Sequence, residues 1–290
     1  MAILNVRHTT IYRYGRPVRL GNHRLMLRPR DSHDLRLIRT NLTCAPAATL
    51  RWYYDVFGNS IAIASFAEPA DELRIESSLK LETYAVERPA FQIAPDAVSY
   101  PFIYSADDRI DLGRMLERHY PDPTDRLGSW ARGFVRGNPT DTSALLADLN
   151  TGVAACISYQ TRETEGTQTP VETLNRGWGS CRDLALLLIE AARSLGFGGR
   201  VVTGYLYRHA AGDHSEPAMP AGATHAWADI YVPGSGWIAY DPTNGTIGGS
   251  DLIRVAVTRD ISQAVPIAGS FVGAPSDCLG IEVDVSVTSD

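Results

Sequence analysis

Residues 177–196 read GWGSCRDLALLLIEAARSLG and carry a complete helix with its own start and stop. Gly177 and Gly179 break the chain ahead of it. Ser180 is an N-cap residue, and Asp183 follows three positions on, a capping box with an acid shorter than the usual Glu. Leu184, Leu188, Ala191 and Leu195 fall on one face, with Leu187 and Ala192 beside them. Gly196 suits a left-handed stop. This frame makes Cys181 the first helical residue. Unpaired N–H groups and the positive end of the helix dipole favour a thiolate there and can hold an oxyanion. The helix alone is equally compatible with a buried cysteine packed beneath the next loop.

A nucleophilic cysteine needs a base, and the base an orienting group. Of the seven histidines, His8, His23, His33, His119, His209 and His214 sit among loop or surface-type residues without a suggestive neighbour. His225 differs, because it opens THAWADIYVPGSGWIAYDPTNG (224–245), which reads as a hairpin. His225, Trp227, Asp229 and Tyr231 share one face, and the return strand runs from Trp237 to Asp241. A loop centred on Pro233 sets His225 opposite Asp241, with Cβ atoms ~5 Å apart. A two-residue turn at Gly234-Ser235 would oppose Asp241 to Ala228 and turn it to the other face. Val-Pro-Gly is not an Asn-Gly-type turn, so the wider loop is expected.

The chain has 290 residues, 44% hydrophobic and 21% charged, which is the balance of a globular protein able to bury a core without staples. A net charge of −6 argues against a dedicated nucleic-acid binder. The first 40 residues are nevertheless basic, with nine Arg against Asp31 and Asp34. Those arginines alternate with Leu, Val and Tyr, as on the wet face of a sheet. Cys44, Cys156, Cys181 and Cys278 are scattered and form no CxxC, which excludes a zinc framework. No clustered ligands, phosphate loop or dinucleotide fingerprint point to a metal or cofactor. The start, MAILNVRHTT, lacks the apolar run of a signal peptide. LALLLIEAA is too short to span a bilayer and contains Glu190. A cytoplasmic protein with free thiols, making no membrane contact, is the expectation.

Three regions follow. Residues 1–88 alternate in LNVRHTTIYRY, RLMLRPR, IAIASF and ELRIESSLKLETY, with turns at 14–17 and 55–59, and read as an antiparallel sandwich or small barrel. Residues 89–139 form a connector, Pro-rich up to Pro101 and then helical over 107–120 and 125–136. Residues 140–290 hold the helix and hairpin together with a tail. A further helix is expected from Thr140 to Gly152, and a short strand within CISYQT (156–161).

GWGSCRDLALLLIEAARSLGFGGRVVTGYL and THAWADIYVPGSGWIAYDPTNG together resemble the bacterial transglutaminase-like superfamily of cysteine enzymes. VRHTTIYRYGRPV, LMLRPR and YDVFGN resemble the β-rich region that precedes the core in many bacterial members. IRVAVTRDISQAVPIAGSF is similar to their tail. The resemblance implies an α+β fold, in which an N-terminal antiparallel β domain precedes a papain-like, transglutaminase-like core with the nucleophile helix packed on an antiparallel sheet. It also implies a Cys-His-Asp triad, mapped to Cys181, His225 and Asp241. Arylamine N-acetyltransferases share that order, but their RGGxC signature is absent here.

The chemistry implied is acyl transfer through a thioester, with a peptide or protein amide as substrate and no cofactor. Resolution by water makes a peptidase or amidase, and resolution by a lysine amine makes a cross-linking transglutaminase. A chain without a calcium-loop motif leans toward water. A non-enzymatic binding scaffold is the third alternative. The family's aromatic oxyanion donors point to Tyr159 and Trp178, while Trp227 and Trp237 would wall the cleft or its core. The polar loop 208–223, just before His225, would border the cleft. Oligomeric state is not encoded in any visible motif.

Overall fold

The computed structural model of the chain describes residues 2–84, 91–162, 166–207 and 224–290. The cleft-bordering loop expected at 208–223 lies outside the described residues, as does Pro89.

The alternating runs of the first region form two antiparallel sheets. Strands β1 (Ala2–Leu20), β2 (His23–Arg28), β3 (Leu35–Ala45), β4 (Ala48–Tyr54), β5 (Ser60–Phe66) and β6 (Ala70–Thr83) supply most of both. One sheet pairs β1 with β6 and β6 with β3, and the other runs β2-β5-β4 and adds a short strand at Ile267–Ala268. Inward-facing Val18, Leu20, Leu25, Ala62, Leu73 and Ile75 close the space between them, so the sandwich reading holds. Strands β3 and β4 went unread in the sequence because their residues are largely exposed and lack clean alternation. The turn expected at 14–17 is instead a bulge inside the 19-residue β1, with the register shifting between Arg13 and Val18. The Asp55–Asn59 turn forms, and the Asp55 carboxylate accepts from the N–H groups of Phe57 and Asn59.

The connector carries α1 (Ala106–Leu112), a 3₁₀ turn at Gly113–Leu116 and α2 (Arg126–Arg132), shorter than the spacing implied. Helix α3 (Thr142–Cys156) passes through Gly152 instead of stopping there, because the Phe134 ring occupies the place where a side chain at 152 would go. Helix α4 (Pro170–Arg176) and helix α5 (Cys181–Ser194) complete the helical layer. Strands β7 (Gly198–Leu206), β8 (Thr224–Val232), β9 (Gly236–Asp241) and β10 (Leu252–Thr258) form an antiparallel sheet in the order β9-β8-β7-β10, with a short strand at Thr246–Ile247 outside β9. Leu187, Leu188, Ile189 and Ala191 of α5 share one core with α2, α3 and the sheet residues Val201, Ala226, Ala228 and Ile230. The small side chains at 226 and 228 let the helix lie close.

Helix α5 is buried almost all round, and its charged residues are matched accordingly. Glu190 and Arg193 meet at 2.7 Å with fully buried side chains. Glu190 also accepts from the His119 and Tyr120 N–H groups, while Arg193 donates to the carbonyls of Met115, Gly199 and Arg259.

The tail returns to the N-terminal region. Strand β11 (Cys278–Ser289) pairs along β1 from Leu4↔Ser289 to Tyr14↔Cys278. His8 and His23 are buried, contrary to the surface reading of their neighbourhoods. His8 Nδ1 meets the Tyr205 hydroxyl of β7 at 3.1 Å and its Nε2 meets Thr10 Oγ1 at 3.1 Å, joining sandwich to core through a polar contact.

Burial pulls His8 down to about 4, against an opposing pull from Asp284. In the unfolded chain it titrates near 6.5, so the unfolded state binds the proton that the folded state refuses. Stability from this site is complete above that value and is lost as pH falls toward 4. Between about pH 7.5 and pH 5 the loss is roughly 2 kcal/mol. It should appear as a narrowing gap in urea-unfolding free energy between the native chain and His8→Gln, and a gap constant with pH would contradict it.

Candidate active site

Cys181 stands at the first position of α5, as the capping residues imply, and is buried. The fixing group is Asp183, whose side chain is fully buried. One carboxylate oxygen accepts from the Ser180 N–H and hydroxyl, each at 2.8 Å. The other accepts from the Gln168 N–H at 2.7 Å and the Arg162 guanidinium at 2.9 Å. A residue legible only as a cap is thus the hub joining the loop ahead of α4 to the mouth of α5. The signal in the sequence was the S-x-x-D spacing, and nothing marked Arg162 or Gln168.

The hairpin turn centres on Gly234, one residue later than the Pro233-centred loop expected. Val232 pairs with Gly236 and Asp229 with Ala239. Gly234 has φ +85°, and a side chain there would strike the backbone at Gln92 and Ala94. The Ala94 N–H donates to the Pro233 carbonyl at 2.8 Å and seats that segment on the turn. Continued along the strands, this register sets Asp241 opposite Trp227. His225 lies two residues further, on the same face. The shift is even, so the face is kept and the contact becomes diagonal.

His225 Nε2 and Asp241 Oδ2 are 2.8 Å apart, with both side chains buried. Asp241 also accepts from the Thr243 N–H at 3.0 Å and from Asn244 Nδ2 at 2.8 Å. Burial alone would raise Asp241, but the facing imidazole and these donors outweigh it and hold the carboxyl below its usual range. Burial alone would likewise lower His225. The Asp241 carboxylate and the nearby Cys181 sulfur overcome that and raise the ring well above an ordinary histidine. With Nε2 committed to Asp241, Nδ1 is the nitrogen left over. It is buried and has no formed hydrogen bond among the described residues.

The three further candidates separate. A short parallel pairing of Ser158–Tyr159 with Trp178–Gly179 sets Tyr159 beside Gly179, two residues before the cysteine. Burial raises the Tyr159 hydroxyl, which lies 3.5 Å from Thr161 Oγ1. Trp178 is turned under Arg176, with the guanidinium 5.6 Å from its ring centre. Trp227 is buried and stacks on His225 at 6.1 Å, so it is a wall for the ring. Trp237 lies under Arg200 at 4.1 Å, on the same hairpin. No group of three or more metal-ligating side chains occurs among the described residues. No helix there is long and apolar enough to cross a membrane.

Two family descriptions match the chain: the bacterial transglutaminase-like N-terminal region over residues 4–82 and the transglutaminase-like superfamily core over residues 128–242. By these two matches the chain is similar to the transglutaminase-like superfamily in both its N-terminal region and its core. An uncharacterised protein of Mycobacterium leprae is 25% identical to it over 283 residues, covering 98% of each chain. The crystal structure of a candidate cysteine protease from Cytophaga hutchinsonii superposes with a TM-score of 0.72 at 17% identity, covering 100% of this chain and 91% of that one. The transglutaminase-like fold is therefore shared across the whole length, sandwich included. Cys181, His225 and Asp241 all lie within the matched core.

Asp183→Ala would strip Arg162 of its carboxylate, leaving it the Gly166 carbonyl, and would leave the Gln168 and Ser180 N–H groups without their acceptor in the interior. Urea unfolding should register a loss of roughly 3–5 kcal/mol, the cost of breaking a buried pair, while Asp183→Asn should lose less because it keeps one acceptor.

Proposed function

We propose that the protein is a cysteine-dependent amide hydrolase, a peptidase or amidase acting through a Cys181 thioester. The observation that carries this reading is the buried His225, bonded to Asp241 at 2.8 Å and under the pull of the Cys181 sulfur. The candidate cysteine protease that shares the fold supports the same chemistry.

Each component has one task. His225 holds a proton and Cys181 carries the charge that this proton leaves behind. The sulfur adds to the carbonyl carbon of the substrate amide, and the oxygen takes the negative charge. The Cys181 N–H, in the first turn of α5 and without an intrahelical acceptor, donates to that oxygen. Tyr159 is the second donor. As the C–N bond breaks, His225 gives its proton to the leaving amine and a thioester remains. Water then adds to the thioester and passes a proton to His225. The carboxylic acid departs, and the sulfur–imidazolium pair is restored. Asp241 stays ionised throughout and keeps the Nε2 proton in place. Attack by a lysine amine in place of water would give the transglutaminase outcome from the same intermediate.

Iodoacetamide labelling read by mass spectrometry tests the pair directly. Cys181 should label at lower pH than the other cysteines. Cys44, pushed up to about 11 by burial, should label last. Asp241→Asn removes the main charge raising His225 and leaves burial to lower it, so labelling of Cys181 near pH 6 should slow by about tenfold or more. Uniform labelling of all four cysteines, unchanged in Asp241→Asn, would remove the case for an activated thiol.

Tyr159→Phe deletes one oxyanion donor and keeps the ring. Amide cleavage should fall on the order of 10²–10³ in kcat with little change in KM. A change confined to KM would assign Tyr159 to the cleft wall instead.

A further inference from the structure

The nine arginines of the first 40 residues do not share one environment. Arg7 pairs with Glu76, Arg13 with Glu72 and Glu282, and Arg16 with Asp277. Arg28 and Arg30 do not meet a carboxylate among the described residues. They lie over aromatic rings, Arg28 at 5.7 Å from Trp52 and Arg30 at 5.4 Å from Tyr54. Arg30 is fixed further by donating to the Gly58 carbonyl at 2.8 Å. Arg51 is exposed on the strand that carries both rings, on its opposite face.

Trp52 and Tyr54 belong to β4, which ends the order of the second sheet. Its inward face begins as core, with Leu50 packed against the sandwich interior. It then runs out of partners: Trp52 is 41% exposed, Tyr54 70% and Val56, in the following turn, 94%. A free strand edge with exposed aromatics is a site for strand addition. Proteins commonly blunt such edges with charge, but here the Arg28 and Arg30 charges lie over the ring faces, away from the edge's backbone groups. Trp, Tyr and Arg are also the residues that dominate interface energetics.

We propose that β4, with Arg28 and Arg30, is a docking edge for an extended acidic polypeptide segment. The partner's backbone would add a strand beside β4. On the face shared with the rings, its apolar side chains would cover Trp52 and Val56, and the carboxylates between them would face Arg28 and Arg30. Charge complementarity favours a carboxylate-bearing chain, because Arg28 and Arg30 meet no carboxylate among the described residues. Nucleic acid fits less well. The guanidinium groups already occupy the ring faces on which bases would stack, the chain carries a net charge of −6, and a strand edge matches a polypeptide backbone. The surface is held in place independently of any partner. Asn59, at the end of the turn, donates through Nδ2 to the Val257 carbonyl at 2.6 Å and accepts the Val257 N–H at 2.8 Å.

The test uses the full chain carrying Cys181→Ala, so that binding is read without cleavage and separately from the catalytic reading. The probe is a fluorescein-labelled peptide of about eight residues repeating Val-Ser-Glu-Ser, which puts Val and Glu on one face of a strand and is long enough to span β4. Fluorescence anisotropy should show binding that weakens with salt and falls about tenfold or more in Arg28→Glu/Arg30→Glu. Tyr54→Ser, at an exposed position, should weaken it severalfold and provides a second variant if the double reversal fails to fold. The same peptide N-methylated at alternate residues should not bind. The proposal is overturned by no binding, by affinity unchanged in both variants, by equal binding of the N-methylated peptide, or by an oligonucleotide of matched charge binding as tightly with the same sensitivity to the variants.

Discussion

One hydrogen bond organises the candidate site: the 2.8 Å contact between His225 Nε2 and Asp241. It commits one ring nitrogen and leaves Nδ1 without a hydrogen bond among the described residues. Its partner, Asp241, has its remaining acceptor positions filled by Asn244 and the Thr243 N–H. The carboxylate therefore cannot rotate away without leaving buried donors unpaired. Burial alone would neutralise both groups. Their mutual contact counters that in each, together with the Asn244 and Thr243 donors on Asp241 and the Cys181 sulfur on His225. The two sit on one hairpin, which makes the turn the element that sets their relation. A turn lengthened or shortened by one residue would carry Asp241 to the opposite face of the sheet, whatever the quality of the rest of the fold.

The cysteine is held by a separate device. Helix α5 packs beside β8, with Ile189 close to Ile230 through the gap at Gly199. Helix and strand thus run side by side, and Cys181 and His225 fall at corresponding ends. Depth along this axis is set by the buried Glu190–Arg193 pair, which ties the far end of α5 to the connector and to the carbonyls of Gly199 and Arg259. Asp183 ties the near end. Two buried carboxylates, one at each end of the helix, leave little freedom for sliding, since a slide would strand a charge in the interior.

Much of this was legible in the residues. The caps of α5, the face pattern of its leucines and the alternation from His225 to Tyr231 are local patterns with local causes, and the structure keeps them. The register of the hairpin was not local. The Pro233-centred loop was favoured from turn chemistry, but the turn is fixed by residues 92–94, which lie far away in sequence and seat on Gly234. Parity survived that error, so the pairing of His225 with Asp241 survived too. Helix α3 ran through Gly152 for a similar reason, the glycine making room for Phe134. The hub role of Asp183 was half visible: its capping spacing could be read, while its ties to Arg162 and Gln168 depend on how a distant loop folds. The tail was opaque, because strand β11 is mostly exposed and finds its partner more than 260 residues earlier.

That return of the tail bears on what the sandwich does. Three of the contacts that join the N-terminal sheets to the core bear on this. Leu4, Val6 and Leu79 pack with Tyr205 and Ile253, and Met26 and Ile61 pack with Ala256. Asn59 bonds both backbone groups of Val257. The third contact lies on a single rung of the core sheet. Val257 pairs with Val202, Val202 with Trp227, and the register continues to Asp241. Trp227 in turn stacks on His225. A side chain in the turn after β4 therefore caps the edge of β10 at the level where the imidazole and its carboxylate sit. Strand β10 would otherwise expose unpaired backbone groups there and be free to fray. Because β11 closes the sandwich from the far end of the chain, neither region can leave without unpairing the other. The sandwich is a structural part of the rung that holds His225, and the core around residues 128–242 depends on the strands on both sides of it.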